Sequence, residues 1–454
     1  MAFLFIEGLV LALISGLCIA AEISGEPIIL ADLTPNARIE FRKALSREIK
    51  LIMEAVEKEF VSPVERNTLM QNCVIGGGSV ATEQEKATVA YNRFLLSLDD
   101  LDTDSAREKM LSCVNNMLKQ SSPESKYYAA EEIKKQQAKQ QTIAGIGLAF
   151  TLHENGCEII FVFDDSSAQM AGLRSGDVIT KIDGASLQGI KLEDIKNLIL
   201  GKIGSVSELT ISRPGLDLPM NLALSRIPFD PGGIESKLLS GGVAYLKILH
   251  LGSSTLDRAA DSINDLRKRN NGPLRGSVID LRHCRGGLLY VAVGFSAIFL
   301  SPDSPVAEIR GRTSQSALKL NATKSLYVKN GKLDPLTGLP NETKSMPIVV
   351  ISGPETAAGG EIIASALQDN KRAVVIGSPT SKKGTVETHF PIIDFGGILK
   401  ITTGKIFRPR GSSLDEQAVT PDILLDTKYP TIMGGSDLVL DHAVARLEEI
   451  IQHQ

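Results

Sequence analysis

The spacing of apolar residues changes twice along the chain, and each change marks a change of architecture. Through RIEFRKALSREIKLIMEAVEKEFV, residues 38–61, apolar side chains recur every three or four positions with no glycine or proline between them. That spacing predicts an amphipathic helix. The polar stretch GGGSVATEQEK interrupts it, helical spacing resumes in AREKMLSCVNNMLKQ, and SSPESKYYAAEEIKKQQAKQQ reads as a connecting helix or linker. Near Gly145 the period shortens to two. GIGLAFTLHENGCEIIFVF alternates about Glu154-Asn155-Gly156, which predicts a hairpin. A helix-sized KLEDIKNLILGKIG and a strand SELTISR follow. Beyond residue 230, the apolar runs GGVAYLKILHL, GSVIDLRHC, MPIVVIS and AVVIG alternate with the helical patterns TLDRAADSINDLRKR and GEIIASALQ. Strand–helix alternation of this kind implies an α/β core. The polar, turn-rich segment from Asn321 to Lys344 is expected on the surface.

The first 21 residues, MAFLFIEGLVLALISGLCIAA, are nearly all apolar and end in small residues. They read as an export signal cleaved near Ala20–Ala21, which would carry the mature chain to the periplasm or cell envelope. A membrane anchor is the alternative, because Glu7 sits early and no Lys or Arg precedes the run. Four cysteines follow: Cys73, Cys113, Cys157 and Cys284. In an oxidising compartment Cys73 and Cys113, both in the helical region, are the favoured disulfide pair; the alternative is four small buried hydrophobes. No CxxC or Cys/His cluster is present, so neither a metal nor another cofactor is expected. With 49 basic and 53 acidic residues the net charge is −4, which gives no electrostatic case for nucleic acid or a membrane surface.

Two blocks resemble known domains. Gly145-Ile146-Gly147-Leu148, with Ala149 and Phe150 after it and AGLRSGDVITKIDG further on, resembles the carboxylate-binding loop and following strand of a PDZ domain. Glycines let consecutive N–H groups converge on a terminal carboxylate, and the next strand can pair with an extended peptide. The resemblance implies a partner recognised by its C-terminal tail. Asp280-Leu281-Arg282-His283-Cys284-Arg285-Gly286-Gly287, Pro354 to Glu361, and Lys382-Lys383-Gly384-Thr385-Val386-Glu387 are similar to the motifs of the S41 serine peptidases, the tail-specific or C-terminal processing proteases. This resemblance covers roughly residues 50–430. It implies an α/β fold with a helical N-terminal region, a PDZ domain of α+β type and an S41-type protease core. The expected divisions are 1–21 (leader or anchor), 22–142 (helical, and the surface for any self-association), 143–226 (PDZ) and 227–454 (peptidase core).

In that family a serine three residues before a glutamate attacks the peptide, a lysine takes its proton, and glycine N–H groups hold the oxyanion. Here the glutamate is Glu361, the base position is Lys383, the glycines are Gly286 and Gly287, and the nucleophile position is Ala358. A lysine accepts a proton only when its pKa is lowered, so a buried Lys383 is expected. Glu387 stands where the family has glutamine and would favour the ammonium form. Cys284, Thr356 and Ser365 are the alternative nucleophiles, and no Ser–His–Asp arrangement is readable. The reading is a tail-binding homologue that does not cut. Glu387 and the altered residues before Lys383 favour divergence over the alternative, an inactivated copy of an active protease.

Overall fold

The computed structural model describes residues 35–78, 86–98, 101–135, 143–163, 165–228, 234–328, 333–425, 432–433 and 436–453. The N-terminal apolar run, expected to be a leader or an anchor, lies outside them. The chain forms two compact units. The first takes residues up to 136 together with 311–317 and 386–404; the second takes the remainder.

The first unit is built on α1 (Pro35–Glu59), α2 (Arg66–Gly76), α3 (Ala87–Leu96) and α4 (Thr103–Ser121). Along α1 the buried apolar residues are Leu45, Ile49, Ile52, Met53 and Val56, the stripe that the apolar spacing predicts. Asp102 caps α4 by accepting the Ser105 N–H at 2.8 Å. Strand β1 (Lys126–Tyr128) pairs antiparallel with Gly397–Phe407, placing Tyr127 opposite Leu399. Tyr127 is buried, and its hydroxyl donates to the buried Glu48 at 2.5 Å. Cys73 of α2 and Cys113 of α4 form a disulfide across 40 residues of sequence. Closing a loop of that length removes about 4 kcal/mol of unfolded-chain entropy. Reduction, or a double Cys→Ser change, should therefore lower stability by a few kcal/mol, as read by urea unfolding with and without reductant.

Two six-stranded sheets form the main frame of the second unit. In the first, β2 (Leu148–His153), β3 (Gly156–Val162), β4 (Val178–Ile182), β5 (Val206–Ser212) and β6 (Met220–Ser225) lie in that order, and β2 is an edge. His153 pairs with Gly156, so Glu154 and Asn155 turn the predicted hairpin. Helix α5 (Leu192–Ile199) buries Ile195 and Ile199 in the same core as Ile146 and Leu148.

The second sheet runs β7 (Ile234–Leu239), β8 (Val243–Ile248), β9 (Gly276–Asp280), β10 (Ile348–Ser352), β11 (Val374–Gly377) and β12 (Ile423–Leu424). Apart from the antiparallel β7–β8 pair, every pairing is parallel. The helices are α6 (Thr255–Arg269), α7 (Leu289–Phe299), α8 (Gly359–Asp369) and α9 (Leu438–Gln452). Strands β9 and β10 are buried throughout, which is why they read as continuous apolar runs rather than alternating ones. Helix α9 covers one face with Val439, Ala443 and Leu447. The two sheets meet where Phe161 and Phe163 pack on Leu249, and where the buried Lys247 ammonium donates to the Ile160 carbonyl. Burial pushes the Lys247 amine below its ordinary range. Among the described residues no helix is long and apolar enough to cross a membrane.

Candidate active site

Three neighbouring parallel strands end together, and the segment after each carries one part of the site. Loop 281–288 follows β9, loop 353–358 follows β10, and residues 378–384 follow β11. The carboxyl ends of parallel strands are where α/β proteins assemble sites, because the loops there are not committed to the sheet.

The loop after β9 is anchored by charge at its base. Asp280 is fully buried and takes the Arg282 guanidinium and the Tyr245 hydroxyl, the latter at 2.8 Å. Arg282 also reaches Asp437, the residue that caps α9, at 2.5 Å. Burial alone would push the Asp280 carboxyl up; the paired guanidinium more than reverses this and holds it well below the ordinary range. Beyond that anchor the loop turns, with the Cys284 N–H on the Leu281 carbonyl at 2.9 Å.

Gly286 and Gly287 have φ of 87° and 143°, a region closed to most side chains. A Cβ built on Gly286 would lie 2.8 Å from the Ala358 methyl and 2.8 Å from the Gly359 nitrogen. On Gly287 it would lie 2.4 Å from the Leu251 carbonyl oxygen. The glycine pair is thus the form of backbone that can pass beside residue 358.

Ala358 itself has φ 48° and ψ −111°, a strained conformation for a residue with a side chain. It precedes the first turn of α8. Its N–H donates to Glu361 at 3.0 Å. Glu361 is wholly buried and collects four more donors: the Thr380 hydroxyl at 2.6 Å, the Lys382 N–H at 3.0 Å, the Lys383 N–H at 2.8 Å and, more distant at 3.5 Å, the Ser381 hydroxyl. One carboxylate therefore joins the segment at 358 to the segment at 383. Burial pushes its carboxyl up, opposed by those donors. Sequence reasoning used Glu361 only as a landmark. Its position three residues after the helix start is the capping-box spacing, the signal that could have found this role.

The expectation of a buried Lys383 is corrected: the residue is exposed. It lies in irregular chain beyond β11 rather than on a packed strand, and its backbone N–H is held by Glu361. Glu387 is half-buried in the strand Thr385–Ile392, in the part that belongs to the helical unit. Cys284 is buried and its thiol is pushed up to about 12 by burial, so it carries no thiolate to attack with. Thr356 is buried with its hydroxyl donating to the Leu281 carbonyl at 2.7 Å, and Ser365 is buried with its hydroxyl on the Ile362 carbonyl at 3.2 Å.

His283 and Arg285 do not point to separate partners. Both meet Glu355, at 2.8 and 2.7 Å. The imidazole hydrogen bond and the adjacent guanidinium hold the Glu355 carboxyl down at about 2.

At the other sheet, the loop Gly145–Phe150 leads into the edge strand β2. The Ile146 carbonyl accepts from the Ala168 N–H at 2.9 Å, and the Gly147 carbonyl from the Phe163 N–H at 3.0 Å. In a trans peptide the N–H points opposite to the C=O. The N–H groups of Gly147 and Leu148 therefore face away from those partners. Among the described residues, the far edge of β2 pairs with no other strand of the sheet.

The sequence pattern of peptidase family S41 matches residues 242–425, and that of the PDZ domain matches residues 144–224. A carboxy-terminal-processing protease of Bartonella bacilliformis is 30% identical over 337 residues, covering 74% of this chain and 74% of that one. A chloroplastic C-terminal processing peptidase of Tetradesmus obliquus is 26% identical over 320 residues, covering 66% of this chain and 64% of that one. A solved S41-type structure from Bacteroides fragilis shares the fold with a TM-score of 0.57 at 15% identity, covering 88% of this chain and 97% of that one.

Proposed function

This chain belongs to peptidase family S41, the carboxy-terminal-processing proteases, and on that premise we propose that it binds protein C-terminal tails without cutting them. The observation that carries the reading is the methyl group of Ala358 beside Gly286. A serine there would place an Oγ in the cleft; alanine supplies no atom that can attack. The surroundings support an inherited peptidase cleft. The backbone of residue 358 keeps the strained turn that displays a nucleophile at the end of a strand. The N–H groups of Gly287 and Gly359, to which the described residues offer no acceptor, suit an oxyanion. Lys383 holds the base position. The Cys73–Cys113 disulfide supports export to an oxidising compartment.

Tail capture is assigned to the loop Gly145–Phe150. Its outward N–H groups suit a terminal carboxylate, and the open edge of β2 suits main-chain pairing with an extended peptide. Apolar tails are the expected ligands, since Ile146, Leu148, Ile195 and Ile199 make one apolar core beneath the loop. Calorimetry with one apolar-tailed peptide, as free acid and as amide, tests this. The acid should bind at least about tenfold more tightly, the scale of one lost charge-assisted contact. Equal binding of the two forms would remove the tail-reading role. Mass spectrometry of the peptide after incubation tests the other half: it should remain intact.

A further inference from the structure

We propose that Glu355 is a positioning residue of the cleft, bracing the glycine pair against the segment of Ala358 through His283 and Arg285. The inference rests on the reading of the cleft as an inherited peptidase site.

Two turns stand side by side there, one at Leu281–Cys284 and one at Gly353–Thr356. Their inner faces are joined by the Thr356 hydroxyl on the Leu281 carbonyl and by the Ala357 N–H on the Cys284 carbonyl at 2.8 Å. That joint ends at Cys284. Beyond it, the backbone bonds of the loop go to the other side: Arg285 N–H to the Leu249 carbonyl at 3.1 Å, and Gly286 carbonyl from the Leu251 N–H at 2.8 Å. Both acceptor and donor belong to the segment that follows β8. Past Cys284, the hydrogen bond that pulls the loop back toward residue 358 is the one from Arg285 to Glu355. His283 completes the grip from the near side, so each carboxylate oxygen holds one loop residue.

The brace matters because of what it borders. Two consecutive glycines resist bending poorly. The Gly287 N–H, exposed and with no acceptor among the described residues, shares a peptide with the Gly286 carbonyl, so its aim depends on the Leu251 N–H that holds that carbonyl from one side and on the Glu355 grip that holds the loop from the other. An oxyanion donor acts only when its direction is fixed before the ligand arrives. Glu355 is two residues from Ala357, whose N–H is already tied to Cys284, so its own backbone is well held. The competing view is an ordinary rim ion pair, since Arg285 and Glu355 are both substantially exposed and such pairs often contribute nothing measurable. The two views part on ligand geometry, because only a positioning role distinguishes a tetrahedral anion from a planar amide.

The test uses the full chain with two ligands: an apolar-tailed peptide, and the same peptide with a phosphinate in place of the amide bond seated at residue 358. Calorimetry gives both affinities for the parent chain, Glu355→Ala and Glu355→Gln, with melting midpoints to confirm folding. In the parent chain the phosphinate should bind more tightly than the peptide. Glu355→Ala should weaken the phosphinate about tenfold, as expected for donors displaced by a fraction of an ångström, and leave the peptide within about twofold. Glu355→Gln, which keeps one acceptor, should recover part of the loss. A phosphinate advantage that survives Glu355→Ala, or an equal loss for both ligands, overturns the brace and leaves the cleft reading standing. A phosphinate that binds no better than the peptide in the parent chain overturns both.

Discussion

On the proposed reading of the cleft, Ala358→Ser is expected to confer cleavage of C-terminal tails that the unmodified chain should leave intact. Removing the nucleophile of a serine peptidase costs up to about 10⁶ in kcat, so the unmodified chain should show no cleavage above background. The structure gives the substitution a good chance to act without rearrangement. The backbone at 358 already carries φ 48° and ψ −111°, a cost of about 1–3 kcal/mol that the alanine itself does not need. Glu361 holds the N–H of the same residue and that of Lys383, so a serine Oγ would appear in a prepared setting. Two features should keep the gain partial. Lys383 is exposed, in irregular chain beyond β11 rather than packed in the cleft. Glu387 stands where the resemblance implies a glutamine that orients the lysine. The double variant Ala358→Ser/Glu387→Gln, which restores the glutamine the resemblance implies, should therefore exceed the single one by at least about tenfold, within the usual contribution of a positioned general base. Fragment release from one tail-bearing peptide, followed by mass spectrometry, reads both. Cleavage by the unmodified chain that disappears with Cys284→Ala or Thr356→Ala would show that the nucleophile was misassigned; a thiol pushed up to about 12 and a hydroxyl spent on Leu281 argue against both.

The sequence carried more of the architecture than of the site. The α1 stripe, the Glu154-Asn155 hairpin and the buried strands β9 and β10 follow from local periodicity, which is a property of neighbouring residues. The resemblance placed Gly286, Gly287 and Ala358 in one neighbourhood, and the 2.8 Å approach of the Gly286 Cβ direction to the Ala358 methyl is the physical content of that neighbourhood. Pairing between distant segments was not legible. Nothing in KYY announces a partner at Leu399, because register depends on what the rest of the fold brings alongside. Nor was the exposure of Lys383 legible. A lysine after an apolar strand reads as buried, yet the strand ends at Gly377 and the intervening residues are irregular. The Glu355 contacts were missed for the same reason: Glu355 lies some seventy positions from His283 and Arg285 and carries no spacing signature toward them.

Glu361→Ala should be among the most damaging single substitutions in the second unit, at about 3–5 kcal/mol of stability. The carboxylate is wholly buried and accepts from four donors within 3.0 Å, three of them backbone N–H groups that cannot rotate away. Deleting it orphans all four and opens a void beside α8, and an unsatisfied buried donor costs more than its hydrogen bond contributes when made. The damage should be local in origin. The three backbone donors belong to residue 358 and to residues 382 and 383, so the two segments that frame the cleft lose their common anchor at once. Glu361→Gln keeps the volume but presents an NH₂ where an oxygen faced donors, so it should cost about 2 kcal/mol, between the parent and the alanine variant. Urea unfolding of the three proteins gives the order directly. If Glu361→Ala unfolds within about 0.5 kcal/mol of the parent, as a surface substitution would, the carboxylate is not the anchor of the cleft and the tie between residues 358 and 383 lies elsewhere.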